Sequence, residues 1–456
     1  MVLAVLLPAQ QPPRVAPDPV RALEARYNTY PWLDPNRGTP LLPSKDYDDP
    51  SGQLRLLNQS GQVETKGHPF FTPLGSNGRS CVTCHQPTSA MSLSVELIRI
   101  RWADTNGNDP LFAAIDGSNC PDLPQDKENS HSVLLERGLF RIALPWPPVT
   151  ASGQRIKPDF RIGVVRDPTG CNKNPALISV YRRPRVAANL KYIALRTGDT
   201  LMADGRESSL QSQAISAALT HEQASAAPTP AQLQQIEDFE RQLFMAQHWD
   251  TLGGLLGEPG GSPLLGAENV ARGVAGVGAV PAAGKLAGSF DPWRNLGAPD
   301  LAIRQRGFRE SALRGVDLFA SREFRLADGK MATCATCHRP GISRSIDIGT
   351  TNLPTAKESP ELPLFRITCD ASAPPHPQLG RIFLTQDPGR ALITGKCADA
   401  GSILMQQFRG LAARAPYFVN GSAGDLTELV DFYDRRFKIG LTDKEKQDLV
   451  HFLSIL

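Results

Sequence analysis

Two five-residue stretches of this chain carry the same chemistry. Cys81-Val82-Thr83-Cys84-His85 and Cys334-Ala335-Thr336-Cys337-His338 each place two thiols three positions apart, with a histidine directly after the second. That spacing is the attachment pattern of c-type haem. Cysteines at i and i+3 are neighbours on one helical turn, so both can add to the vinyl groups of one ring. The next residue then offers its imidazole to the iron as proximal ligand. A C-x-x-C pair alone is also half a zinc site or a redox dithiol. A zinc site needs four soft ligands together, yet these copies lie in opposite halves of the chain. The expectation is therefore two covalently bound haem c groups, one held by Cys81, Cys84 and His85 and the other by Cys334, Cys337 and His338.

The chain has eight cysteines, which leaves Cys120, Cys171, Cys369 and Cys397. Haem c is attached outside the cytosol, where disulfides persist. Four cysteines allow three connectivities. The pairing nearest in sequence, Cys120–Cys171 and Cys369–Cys397, is expected, with buried free thiols as the alternative. Each bridge would contribute ~3–4 kcal/mol by constraining the unfolded chain. Residues 1–10 are apolar but have no basic residue ahead of them, and read as a clipped or weak signal peptide. The haem motifs argue for a periplasmic protein more strongly than the terminus does.

The remaining sequence must position these groups. A length of 456 residues suggests two or three domains at about 150 residues each. Hydrophobic residues are 41% and charged residues 21%, a globular mix. A formal net charge of +3 is too balanced to mark a nucleic-acid surface. Mean hydropathy is −0.26, and no run of about 18 uncharged apolar residues suggests a membrane span. Gly and Pro number 39 each, which predicts long irregular connections between short helices. The chain reads as a leader and linker (1–20), an N-terminal haem domain (21–250), a Gly-rich linker (251–300) and a C-terminal haem domain (301–456).

Helix signals are clear at three places. Thr229 caps, Pro230 opens, and Leu233, Ile236, Phe239 and Leu243 repeat at helical spacing. Asp425 with Glu428, followed by Leu426, Leu429, Val430 and Tyr433, predicts a capped amphipathic helix. Thr442 with Glu445 opens a last helix burying Leu449, Phe452, Leu453 and Leu456. Phe308 to Phe319 is also helical in pattern. Strand signals are few. The expected fold class is mainly α, with two cytochrome c-like haem domains and long Gly/Pro-rich loops.

Together with the motifs, three further segments carry a family resemblance. Asp204-Gly205-Arg206 with Leu210, Gln213 and Ala214 looks like a D-G-R-x-x-x-L-x-x-Q-A segment. Arg409 to Ser422, with Pro416-Tyr417 and Gly421, looks like an L-R-N…P-Y-x-H-x-G segment. Leu426 to Tyr433 looks like the helix that follows. In this order they resemble the bacterial diheme cytochrome c peroxidase family, including its MauG-like branch, over roughly residues 65–250 and 305–456.

The resemblance implies that the N-terminal haem reacts with hydrogen peroxide and the C-terminal haem relays electrons from a small periplasmic cytochrome or cupredoxin. A haem with both axial positions filled transfers electrons, whereas an open one can bind peroxide. At the first haem the resemblance implies an acid–base group about ten residues beyond the glutamine. Gln213 matches that glutamine, and the acid position falls on Glu222 or its neighbour His221. Met91 is too near His85 to reach round the ring, so an open distal face is expected. At the second haem the axial position falls on Tyr433, the MauG-like arrangement, with Met405 as the competitor. Ala203 stands where the family often carries a relay tryptophan, and Val419 replaces the histidine of P-Y-x-H. An interdomain calcium is left doubtful, since Met405-Gln406-Gln407-Phe408 lacks the family's Pro-Thr pair. Arg206, Arg339 and Arg409 are candidate partners for haem propionates. A homodimer is common in the family. The readings left open are a peroxidase, a MauG-like oxidase of a protein or organic substrate, and a non-enzymatic electron-transfer cytochrome.

Overall fold

The structure is a computed structural model that describes residues 40–150, 152–192, 201–259, 261–272, 283–295, 302–326, 329–338 and 359–456. The leader and Arg339 lie outside the described residues.

The chain is not mainly α. Helices take up 35% of residues and strands 19%, and among the described residues the strands form four antiparallel sheets. The first sheet joins Ser44–Asp49, Gly52–Asn58, Leu243–Asp250 and Gly254–Leu255. Its opening hairpin turns over Pro50-Ser51, between the paired Asp49 and Gly52. Gly52–Asn58 alternates buried and half-buried positions, Leu54 and Leu56 facing the core, as a half-covered strand should. The second sheet pairs Phe160–Arg166 with Leu364–Cys369, and that strand with Ile382–Thr385. It joins segments from both halves of the sequence, so the described residues do not resolve into two helical cytochrome c-like units. The third pairs Phe140–Pro145 with Leu177–Arg182. The fourth is a two-residue ladder, Phe324–Arg325 with Met331–Ala332, just ahead of the second haem motif.

The expected helices form, with one correction. Thr229 caps Pro230–Gln242 and accepts from Gln232 N. Leu243, read as the helix's last apolar position, instead opens a strand. The apolar run Leu243-Phe244-Met245-Ala246 is fully buried, and a run apolar on both faces suits a covered strand better than an amphipathic helix. Asp425 caps Leu426–Phe437 and Thr442 caps Asp443–Ser454. The longest described helix of the C-terminal half, Ile303–Ser321, packs on Asp443–Ser454. The approach is close enough that a Cβ on Gly315 would overlap the Asp448 carbonyl. Phe319 and Phe452 meet edge-on there, 5.4 Å apart.

Leu256, Leu264, Leu265, Phe290 and Trp293, from the Gly-rich stretch, are buried in that same core. A second core surrounds the first haem motif, where Phe70, Phe71 and Phe239 pack beside Val82. Disulfides join Cys120 to Cys171 and Cys369 to Cys397, the pairing nearest in sequence. The second ties the Leu364–Cys369 strand to the loop at Cys397.

Candidate functional site

Each C-x-x-C-H motif forms one helical turn, Cys81–Cys84 and Cys334–Cys337, capped by Ser80 and Thr333. The histidine ends the turn in both. His85 Nδ1 donates to the Met91 carbonyl at 3.0 Å. That bond fixes the ring's tautomer and leaves the Nε2 lone pair free. Met91, once weighed as a distal ligand, thus holds the proximal histidine through its backbone. Cys84 and His85 line a cavity.

Gln213 and His221 line the same cavity. Both come from the Leu210–Thr220 helix, which Ser209 caps and His221 ends. The His221 carbonyl is gripped by Asn77 Nδ2 at 2.8 Å. Its ring Nδ1 lies 2.5 Å from Asp116 Oδ2. Asp116 is buried, and its other oxygen pairs with Arg79. Burial pushes the Asp116 carboxyl up, but Arg79 and His221 outweigh it and hold the pKa below the usual range. Arg79 is itself fully buried, with further bonds to the Pro110 and Leu111 carbonyls at 2.7 and 2.6 Å. His221 is therefore oriented by an anion that a fixed cation keeps charged. With Nδ1 engaged, its Nε2 is left to handle a proton.

Glu222, ranked beside His221 on sequence, is placed differently. It is absent from the residues lining the cavity. Its carboxylate accepts from Leu74 N at 3.0 Å and lies 3.7 Å from Cys81 Sγ. Burial raises its pKa to about 7. Sequence reasoning missed Arg79 and Asp116, and also Glu240, a buried carboxyl on the cavity wall that burial and Glu237 push up to about 8.

The second cavity is lined by His338, Tyr433 and Met405 among others. His338 Nε2 and the Tyr433 hydroxyl face each other at 3.2 Å, with their rings at 87°. Phe418, Phe432 and Phe437 pack round the tyrosine. The imidazole and the phenol are thus within hydrogen-bond distance of each other on the wall of this cavity.

The two cavities share a wall: Arg183, Pro184, Arg185, Ala203 and Gln406 line both. Ala203, in place of the family's tryptophan, stands in that wall. Of the arginines picked out on sequence, Arg206 lines the first cavity but is held by Asp204 at 2.8 Å. Arg409 is fully buried, lines neither cavity, and its Nε and Nη2 have no hydrogen-bond partner among the described residues.

The residues present fit haem. In each motif two thiols and a histidine share one turn beside a cavity that the histidine borders, the donor set of c-type haem. Over 150 residues the chain is 28% identical to cytochrome-c peroxidase IdrP1 of Denitromonas iodatirespirans. The chain resembles the diheme cytochrome c peroxidase and MauG-like family. The match covers 30% of this chain and 40% of that relative, so the chain spans less than half the relative's length. No family model matches. A solved MauG-like protein associated with microbial copper homeostasis aligns over 85% of this chain and 86% of its own, at 14% identity and a TM-score of 0.36, too distant to place any residue. No helix among the described residues is long and apolar enough to cross a membrane.

Proposed function

We propose that this chain is a periplasmic diheme c-type peroxidase, reducing hydrogen peroxide in the N-terminal cavity with electrons passed through the C-terminal one. The observation that carries the reading is His221, oriented by Asp116 and facing the cavity that His85 borders. Haem held by Cys81, Cys84 and His85 would supply an open iron position for peroxide, and haem held by Cys334, Cys337 and His338 an electron store.

The protein's own part is proton handling and exclusion. His221 Nε2 takes the proton of the incoming peroxide and returns it to the leaving oxygen, general acid–base work that suits a histidine near neutral pH. Asp116 keeps that ring from rotating. The Gln213 amide, on the same helix, can hydrogen-bond an oxygen in the cavity. In the second cavity His338 and Tyr433 would hold the haem iron between them, with Met405 as the weaker candidate for the tyrosine's place. A haem held so would have no position for peroxide and would serve electron transfer. The electron donor would be a small periplasmic cytochrome or cupredoxin.

A single measurement decides the main division. The as-isolated ferric protein should show one high-spin and one low-spin EPR signal, then turn over peroxide with a reduced cytochrome. Two low-spin signals unchanged after half-reduction would sink the enzyme reading in favour of an electron-transfer cytochrome. Tyr433 also supports a second reading, a MauG-like oxidation of a protein or organic substrate, which would show the same EPR pattern without rapid cytochrome turnover. In either case Tyr433→Phe is expected to change the low-spin signal, and an unaltered spectrum would refute the tyrosine as ligand.

A further inference from the structure

Three guanidinium groups gather where the two cavities meet, and among the described residues no carboxylate pairs with them. Arg183 and Arg185 line both cavities and Arg414 lines the second. The Leu177–Arg182 strand delivers the first two as it leaves its sheet. Among the described residues their hydrogen bonds run to backbone carbonyls. Arg183 donates to Arg137 at 3.1 Å, to Arg414 at 3.0 Å and to Leu93. Arg185 donates to Leu404 at 2.9 Å and Met405 at 2.8 Å. Arg414 donates to Gln407, and its buried Nε has no partner. Asp204 acts on Arg185 from a distance, but it is already held by Arg182 and Arg206.

Charges taken out of water this way are costly unless a counter-ion joins them. Burial, with repulsion from Arg414, pushes Arg183 down to about 9 and Arg185 to about 10. Burial brings Arg414 to about 10 as well. The neighbouring Arg182 shows the contrast, since two aspartates satisfy it.

We propose that Arg183, Arg185 and Arg414 form one carboxylate-binding node shared by the two cofactors, receiving propionates from both. This inference rests on the two-haem reading above. A guanidinium fork binds carboxylate bidentately, and a positive charge beside either ring favours its reduced iron. The node therefore raises both potentials together. The residues that line both cavities, Arg183, Pro184, Arg185, Ala203 and Gln406, include no aromatic ring.

The test is a spectroelectrochemical titration of the holoprotein as purified, comparing the unaltered chain with Arg185→Gln, Arg185→Lys and Arg414→Gln. In Arg185→Gln both midpoint potentials should fall by at least about 59 mV, a tenfold change in the one-electron equilibrium. Arg185→Lys, which keeps the charge without the fork, should recover most of that fall. Arg414→Gln should lower the second couple more than the first. If Arg185→Gln does not accumulate, Arg183→Gln is read by the same criteria. A fall in only one couple, no fall, or equal falls in the Gln and Lys variants would each overturn the shared node. A haemochrome assay on the unaltered chain separates this from the parent reading: fewer than two haems per chain overturns the two-haem assignment and the node with it, whereas two haems with unmoved potentials overturns the node alone.

Discussion

Replacing His221 with alanine should lower kcat/KM for hydrogen peroxide roughly 10²–10⁴-fold, the usual contribution of a positioned acid–base group. Haem content per chain should stay unchanged, because His221 is neither a thioether partner nor part of either motif. The magnitude follows from the ring's setting. His221 ends the Leu210–Thr220 helix, its carbonyl pinned by Asn77 and its Nδ1 by Asp116. Little reorganisation is left to make when peroxide arrives, which is where a catalytic group gains its rate advantage. Asp116→Asn should cost less than His221→Ala and more than a surface change, since the amide can still hold the ring but leaves buried Arg79 without its anion. Glu222→Gln should cost less than about tenfold, because Glu222 faces Leu74 and Cys81 rather than the cavity. Stopped-flow kinetics on the three variants rank them. A larger loss in Glu222→Gln than in His221→Ala would reverse the assignment of the acid–base group.

That ranking also marks how far the sequence could be read. The haem motifs are local patterns, and so are the caps at Thr229, Asp425 and Thr442, because a cap bonds a backbone N–H only a few residues ahead. The structure places them where the pattern puts them. The pairs that decide the chemistry are not local. Asp116 and His221 lie 105 residues apart, and no periodicity links them. Adjacent carbonyl-to-side-chain geometry turns His221 into the cavity and Glu222 away from it, a distinction that two neighbouring letters cannot carry.

The strands were lost for a similar reason. Gly52–Asn58 pairs with Leu243–Asp250 across most of the N-terminal half, and Phe160–Arg166 with Leu364–Cys369 across the middle of the chain. Neither pair has a short hairpin turn to announce it. The one available signal was Asp49-Pro50-Ser51-Gly52, a turn-forming run between two alternating segments. Phe160–Arg166 is also largely exposed, so its apolar alternation is weak.

Arg182→Met should destabilise the folded holoprotein by about 3–5 kcal/mol, the cost of leaving partners of a buried ion pair uncompensated. Arg182 is buried and bridges two buried acids. Its Nε and Nη2 reach Asp387 at 2.7 and 2.9 Å, and its Nη1 reaches Asp204 at 2.5 Å. Met fills a similar volume but leaves Asp387 with the Gly389 amide and Asp204 with Arg206. Arg206→Gln should cost far less, on the order of 1 kcal/mol, since Arg182 still answers Asp204. The network also fixes a pH dependence. Burial pushes the Asp204 carboxyl up, but Arg182 and Arg206 outweigh it and depress its folded pKa. A depressed carboxylate contributes stability that is complete above the unfolded value of about 3.9 and is lost as pH falls through the lower folded value. Denaturant unfolding of the unaltered chain should therefore weaken steeply below about pH 4, and Arg182→Met should show less of that acid loss because much of the contribution is already gone. Equal stability of the two proteins at pH 7 would show that the three charges do not hold the shared wall in place. Arg182 lines the first cavity and Asp387 the second, so this ion network ties the two sites together mechanically.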